Sequence, residues 1–590
     1  MVQRPDNQPL PPEFVLSRPR GRARAPKDFA WLQTNIPCQA ACPAGTDVPA
    51  YLEAVARGDH ARAYRINLKD NVFPAVLGRV CTRPCEPACR HGWEGLGEPV
   101  AICNAKRAAA DGVNQAEPVV LEPVFPPSGR RVAVVGGGAA GLTVARELAR
   151  WGHAVTVFEQ AAEAGGLMMQ GIPAFRLPRK VVRREVEQIR LMGVELRCHQ
   201  PVRTAQELDE LERAYDAVVL ASGTQRLYRP DCPGIDLDGV QHGLTFLRTV
   251  AVEETAPVGA RVVVIGGGFT AVDCARTARR LGAASVQVYY RRTEAEMYIE
   301  RHEIATLQQE GIGFHTQYAP VEFQGAGGRV ERVGLAPTVP GEPDASGRPR
   351  AVPDLGRVQL VEADTVLLGT GQLRDVAWLG EERLAAMQSD GNWKTGADPE
   401  SARRGLFLAG DLALGALSLI DAIGHAKRCA RRVDFFLTGE DRLADTVVIA
   451  DAAQTGRTRA MDAIPRQPMP VCPVAGRDLT AEVEQGLGED AAATEASRCY
   501  LCHYKFEIDN ELCIYCDRCL KVKPVDGCIV KVSGLDHDAQ GRLTGFRRST
   551  SASDYNMLFI DQDQCIRCNA CVEVCPVDCI SLQKVSLETV

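Results

Sequence analysis

Twice in the middle of the chain a short apolar run meets a glycine cluster, and an apolar pattern of helical period follows. The first case is residues 131–159, RVAVVGGGAAGLTVARELARWGHAVTVFE. VAVV predicts a buried strand, the next segment a helix, and AVTVFE a second strand. The second case is residues 261–293, RVVVIGGGFTAVDCARTARRLGAASVQVYYRRT, with the same strand, turn, helix and strand order. A third apolar stretch, residues 405–421 (GLFLAGDLALGALSLID), predicts a strand ending at Gly410-Asp411 and a helix after it. It is the most apolar run of the chain, yet Asp411 and Asp421 break it, so no membrane span is expected. Residues 441–495, rich in Ala, Asp and Glu around PRQPMPVCP, read as a surface-running linker.

The glycines carry chemistry. Gly136, Gly138 and Gly141 fit G-x-G-x-x-G. The first permits a tight turn, the second lets backbone approach a pyrophosphate, and the third lets helix and strand pack closely. The helix N-terminus offers free N–H groups to phosphate. Glu159 ends the second strand, where an acid accepts from a ribose hydroxyl. In the later unit Gly266, Gly268 and Ala271 take the glycine positions. There the acid is absent, and Arg291 and Arg292 stand in its place. Arginine at that point favours the 2′-phosphate of NADP(H) over NAD(H).

Composition adds limits. The 590 residues suggest about four domains. A formal net charge of −7 argues against a general nucleic-acid binder. The basic stretch Arg18 to Lys27 reads as a solvated leader rather than a nucleic-acid or membrane patch. The first 30 residues hold no apolar core run, so no signal peptide is expected and a cytoplasmic protein is. Cysteine changes the picture most. There are 22, most in tight runs towards the two ends, and in a cytoplasmic chain such spacing means metal rather than disulfides.

Near the C-terminus Cys565, Cys568, Cys571 and Cys575 form C-x2-C-x2-C-x3-C-P, the bacterial ferredoxin run. An earlier run, Cys513, Cys516 and Cys519, has Lys523 where its fourth cysteine belongs. In two-cluster ferredoxins the fourth cysteine serves the other cluster, so Cys575 should complete the set of Cys513, Cys516 and Cys519. The set of Cys565, Cys568 and Cys571 then lacks a fourth ligand. Cys528 is the nearest substitute, Cys579 another, and an incomplete cluster a third possibility. Zinc also binds C-x-x-C pairs, but two triplets plus Cys-Pro favour iron–sulfur.

Gly410-Asp411 looks like the G-D motif of glutathione-reductase-type flavoproteins, whose aspartate holds the ribityl chain. Ala221-Ser222-Gly223 resembles their A-T-G turn. With GGLMMQGIPAFRLP (165–178, including Gly166) and GGGFTAVDCARTARRLGA, the region of about 36–440 resembles the glutamate synthase small subunit and its relatives. That resemblance implies FAD, NADP(H) and two N-terminal [4Fe-4S] clusters. Flavin then converts hydride transfer to single-electron transfer, with the cofactors carrying the reaction, and no acid–base residue is nominated. Two such clusters need eight ligands, and the N-terminal set has six: Cys38, Cys42, Cys81, Cys85, Cys89 and Cys103. The family places E-A-x-R-C-x-x-C just before the first of these; here that motif is TEASRCYLC, with Cys499 and Cys502, far downstream. The expectation is that this pair folds back to join Cys38 and Cys89. Cys42, Cys81, Cys85 and Cys103 would make the second set, Cys103 substituting for a family Glu or Gln whose place falls at Lys106. The remaining cysteines, 198, 232, 274, 429, 472 and 579, are expected as small buried apolar residues.

The expected architecture is therefore α/β, with two Rossmann-like dinucleotide-binding domains of glutathione-reductase type. An N-terminal helical iron–sulfur domain (1–125) precedes a split FAD domain (126–250 and 366–440). A NADP(H) domain (251–365) is inserted in it, and a linker (441–495) leads to a ferredoxin-like α+β domain (496–590). The expected function is an FAD and iron–sulfur NAD(P)H oxidoreductase subunit with about four clusters. It would exchange electrons with ferredoxin or a 2-oxoacid:ferredoxin oxidoreductase-type partner, in a hetero-oligomer. Alternatives are the glutamate synthase small subunit proper and a non-catalytic electron-transfer scaffold.

Overall fold

A computed structural model of the chain describes residues 29–589 except 114–117, 298, 300, 344–346, 390–391, 394–398, 400, 402, 444, 540–542, 552 and 556. The basic stretch Arg18 to Lys27 lies outside the described residues.

Two parallel five-stranded sheets form the centre of an α/β fold. In the first, the order is Leu406–Leu408, Ala217–Leu220, Arg131–Val135, Ala154–Phe158 and Glu195–Arg197. Its middle strand is buried from Val132 to Val135, as an apolar run flanked by partners on both sides must be. In the second, the order is Val240–His242, Thr365–Leu368, Arg261–Ile265, Ser285–Tyr290 and Gly313–Thr316. Strand Leu406–Leu408 thus returns to the first sheet after the chain has built the second. Val240–His242 pairs with Val366–Leu368, so the second unit begins about ten residues before the expected 251 and its last strand runs past 365. A strand of three residues offers too short a pattern to read.

Side-chain caps punctuate the helices. Thr204 and Glu207 form a reciprocal capping box at Ala205–Ala214. Ser418 caps the 20-residue helix Leu419–Thr438, which ends at Gly439 with φ +77°. Among the described residues no helix is long and apolar enough to cross a membrane.

The N-terminal helices and the C-terminal tail share one core. Trp31, Tyr51, Leu52 and Ile102 from the first pack in the same cluster as Phe506, Tyr555, Leu558 and Leu582 from the second. The tail carries two antiparallel three-stranded sheets. One of them corrects the linker reading: Asp445–Ala452 is an edge strand paired with Ile580–Thr589. Between that strand and the helix Glu489–Ser497 the segment is a strap across three domains. Arg466 pairs with Glu86 at 2.9 Å, Glu482 with Arg79 at 2.7 Å and with Arg107 at 2.8 Å, and Arg477 with Glu310 at 2.7 Å. The Val483 N–H donates to the Phe175 carbonyl at 3.0 Å.

Candidate flavin cleft and cysteine quartets

A cleft of about 890 Å³ opens at the C-terminal edge of the first sheet, where ligands bind in doubly wound folds. Gly136, Gly138, Glu159, Gly166, Ser222 and Asp411 line it, together with Phe269, Thr270 and Asp273 from the helix of the second unit. Gly136 has φ +108°, and a Cβ there would sit 2.5 Å from the Ala221 carbonyl oxygen. At Gly141 a Cβ would fall 1.9 Å from the Gly136 oxygen, so the helix could not approach the turn. Glu159 is committed to the turn itself: its carboxylate accepts from the N–H groups of Gly137 at 2.7 Å and Ala161 at 2.8 Å.

Asp411 begins the short helix Asp411–Leu414. Its Oδ1 is buried without a hydrogen-bond partner, and burial pushes its carboxyl up to about 7. An orphaned buried acceptor beside a glycine cradle fits a polyhydroxylated chain such as the flavin's ribityl group. At the second turn Gly266 has φ +145°, Gly268 caps the helix Phe269–Arg280, and Ala271 is fully buried in that helix's first turn. The two arginines diverge. Arg291 is exposed, whereas Arg292 is buried, donates to the Pro349 carbonyl at 2.9 Å and pairs with Glu296 at 3.8 Å.

The sixteen nominated cysteines gather in four quartets. Cys38, Cys89, Cys499 and Cys502 face one another; burial first, then Cys502, Cys89 and Cys499, push the Cys38 thiol well above its usual range. The pair from TEASRCYLC reaches them because helix Glu489–Ser497 packs on helices Val48–Ala56 and Ile102–Asp111. Glu495 fixes that contact by accepting from the Ala101 N–H at 2.7 Å and from Arg498 at 2.6 Å. In the second quartet Cys81 and Cys85 lie against Cys103, and these two neighbours hold the Cys103 thiol well below its usual range despite burial. Cys42 completes it, since the buried Lys106 feels the charge of Cys103, Cys81, Cys85 and Cys42 together.

In the tail, Cys528 lines one small void with Cys565, Cys568 and Cys571. Cys513, Cys516, Cys519 and Cys575 line another. Of the two substitutes for the missing ligand, Cys528 is therefore the one beside the triplet. Cys579 lies in the other group, its Sγ 3.5 Å from that of Cys575. Cys232, Cys274 and Cys429 are buried as expected of small apolar residues, whereas Cys198 and Cys472 are partly exposed. Lys523 lines the same void as Cys528 and the triplet, and its ammonium donates to the carbonyls of Asp526 and Ile529.

Among the described residues no three His, Cys, Asp or Glu side chains are grouped so as to hold a single metal ion. A cluster differs, because its own iron and sulfide atoms stand between the thiolates. Burial and mutual repulsion oppose ionisation in the first quartet, and a cationic iron–sulfide core is what would let such thiols ionise together.

The quartets also follow one another. Val80 and Thr82, either side of Cys81, line the cleft. Tyr51 feels Cys85 and Cys103 and also Cys38, so the two N-terminal quartets adjoin. Cys502 acts on Cys565, and Cys519 on Cys571, linking each group to the next. Cys516, in the last group, is exposed. Between the first quartet and the tail sit three buried arginines that no local pattern announces. Arg457 donates to the carbonyls of Cys499 at 2.9 Å and Cys568 at 3.3 Å. Arg90 and Arg567 both donate to the Cys565 carbonyl and to Asn35 Oδ1.

Known proteins bear on this arrangement. The family model "Pyridine nucleotide-disulphide oxidoreductase" matches residues 130–431. A dihydropyrimidine dehydrogenase domain II, 4Fe-4S cluster model matches 32–117, and a 4Fe-4S binding domain model matches 558–581. The chain is 34% identical to the NADP(+)-dependent formate dehydrogenase subunit beta of Moorella thermoacetica, over 80% of this chain and 71% of that one. It is 32% identical to the NADPH-Fe(3+) oxidoreductase subunit beta of Geobacter sulfurreducens, over 80% and 75%. Against the glutamate synthase [NADPH] small chain of Escherichia coli the identity is 32%, over 70% of this chain and 90% of that one. The chain belongs to the pyridine nucleotide-disulphide oxidoreductase family, in the group of FAD- and [4Fe-4S]-dependent NADPH oxidoreductases that holds these subunits.

Proposed function

We propose that this chain moves electrons between NADPH on the second glycine turn and a low-potential partner protein at the tail, through FAD in the cleft and four [4Fe-4S] clusters in the quartets. When bound, FAD exchanges a hydride with the nicotinamide and single electrons with the clusters. The chain's residues bind and orient. Gly136, Gly138, Gly141 and Gly166 admit the flavin's pyrophosphate side, with Glu159 bracing the turn, and Asp411 accepts from its ribityl hydroxyls. Gly266, Gly268 and Ala271 leave room for the nicotinamide nucleotide, and Arg291 takes its 2′-phosphate while Arg292 holds the rim.

The observation that carries this reading is the succession of quartets, each within electrostatic reach of the next, from the cleft wall at Val80 and Thr82 to the exposed Cys516. Exposed Leu512, Ile514 and Val577 flank that exit, a surface suited to a redox protein such as ferredoxin or a 2-oxoacid:ferredoxin oxidoreductase subunit. The likeness to a formate dehydrogenase subunit over 80% of the chain favours a second form of the reading, in which the partner is a fixed catalytic subunit handling a small acid. In either form the protein is read as a cytoplasmic subunit of a hetero-oligomer.

The test is iron content and partner capture. The double variant Cys499→Ala, Cys502→Ala should lower iron by about four per chain; unchanged iron removes the fold-back quartet and breaks the succession. An anaerobic pull-down from native cells should recover a low-potential iron–sulfur enzyme. Recovery of a large amidotransferase instead would make this a glutamate synthase small subunit.

A further inference from the structure

One ammonium group is buried with the quartet nearest the cleft. Lys106 stands three residues after Cys103 on helix Ile102–Asp111, so the two side chains share a helix face. Lys106 is 4% exposed and Cys103 fully buried. Cys81, Cys85 and Cys42 lie close enough for the four thiols of the quartet to be within electrostatic reach of this lysine. A buried lysine is costly unless it meets negative charge. The groups that answer it here are the quartet's own sulfurs.

The charge has a redox consequence. A [4Fe-4S] cluster gains one negative charge when it is reduced, and its potential follows the net charge around it. A fixed cation inside the low-dielectric core favours the reduced form. We propose that Lys106 is a positioning residue that raises the reduction potential of the cluster held by Cys42, Cys81, Cys85 and Cys103, making the first station beyond the flavin cleft a better electron acceptor. This rests on the reading of that quartet as a cluster site.

The experiment is an EPR-monitored redox titration of the full-length chain, purified anaerobically, with Lys106→Met, Lys106→Gln and Lys106→Arg. In K106M one cluster midpoint should fall by about 59 mV or more, a tenfold loss in its one-electron reduction equilibrium, while the other midpoints stay put. K106R should keep the wild-type midpoint. Unmoved midpoints in K106M with iron content intact overturn the proposal. If K106M loses iron, K106Q and K106R decide it: a lower midpoint in K106Q than in K106R supports the role, and equal midpoints refute it. Cys103→Ala checks the underlying reading separately. Iron unchanged in C103A removes Cys103 from the ligand set, whatever the lysine variants show.

Discussion

Replacing Arg457 by Met should loosen the junction between the N-terminal quartet and the tail without unfolding either. The arginine is 3% exposed and bridges two cysteine carbonyls, Cys499 at 2.9 Å and Cys568 at 3.3 Å. It also pairs with Asp462 and lies 4.6 Å over the Tyr500 ring. A hydrogen bond from a charged donor contributes about 1.5–3 kcal/mol. Methionine keeps the apolar stem, and Arg459 still pairs with Asp462, so no carboxylate is stranded. Taking the low end for each of the two carbonyl bonds gives a loss of about 3 kcal/mol for opening this junction. Hydrogen–deuterium exchange with peptide-level mass spectrometry reads such local openings directly. Peptides covering 496–504 and 565–571 should exchange on the order of 100-fold faster in R457M, with the two parallel sheets unchanged. Less than about threefold acceleration would mean that the arginine fills space and does not tie the two cluster regions together.

Other perturbations test other parts. Asp411 sits at about 7 because burial disfavours its charge, against roughly 3.9 for a free aspartate. The raised value means that the contribution of Asp411 to folding of the cofactor-free chain is fully present below about pH 4 and that up to about 4 kcal/mol of it is lost as pH rises from there to about 7, at 1.36 kcal/mol per pH unit. Asp411→Asn should flatten that dependence in thermal unfolding at several pH values while weakening FAD retention on a desalting column. Arg291→Ala should raise KM for NADPH roughly tenfold and leave NADH nearly unchanged; equal effects on both nucleotides would place the 2′-phosphate elsewhere. Cys528→Ala should remove about four irons per chain and Cys579→Ala none, and the reverse pattern would exchange their roles.

What the sequence discloses here is local. Each dinucleotide turn is written within about 30 residues, because strand, glycines and helix are neighbours in the chain as well as in space. The cysteine runs are legible for the same reason. Partners brought together by tertiary packing are not. Cys528, just after Lys523, and Cys579, much further along, were both candidates for the missing ligand, and only the fold of the tail puts one in each group. Asp445–Ala452 does carry a short apolar run, Val447 to Ala450, but it sits in a segment otherwise rich in Ala, Asp and Glu, and its partner at Ile580–Thr589 lies far along the chain, so no local signal marks it as a strand. Arg457, in the same stretch, looks like one more surface charge until the strap turns it inward. Lys106 was legible as a position that does not match the family, but its company became visible only once helix Ile102–Asp111 was packed against the cysteines.

The shared core of the N-terminal helices and the tail also sets a timetable. Cys38 leaves the ribosome about 460 residues before Cys502, a delay of about 25–90 s at ordinary elongation rates. Throughout that interval the first helices lack both the thiols and the apolar surface that close their core. Iron loaded earlier would meet an incomplete set, and the exposed thiols would be open to oxidation. On the proposed cluster reading, maturation of this quartet is a late event, and the nearly finished chain serves as its own checkpoint: the proposed electron path can be completed only after the tail has come home.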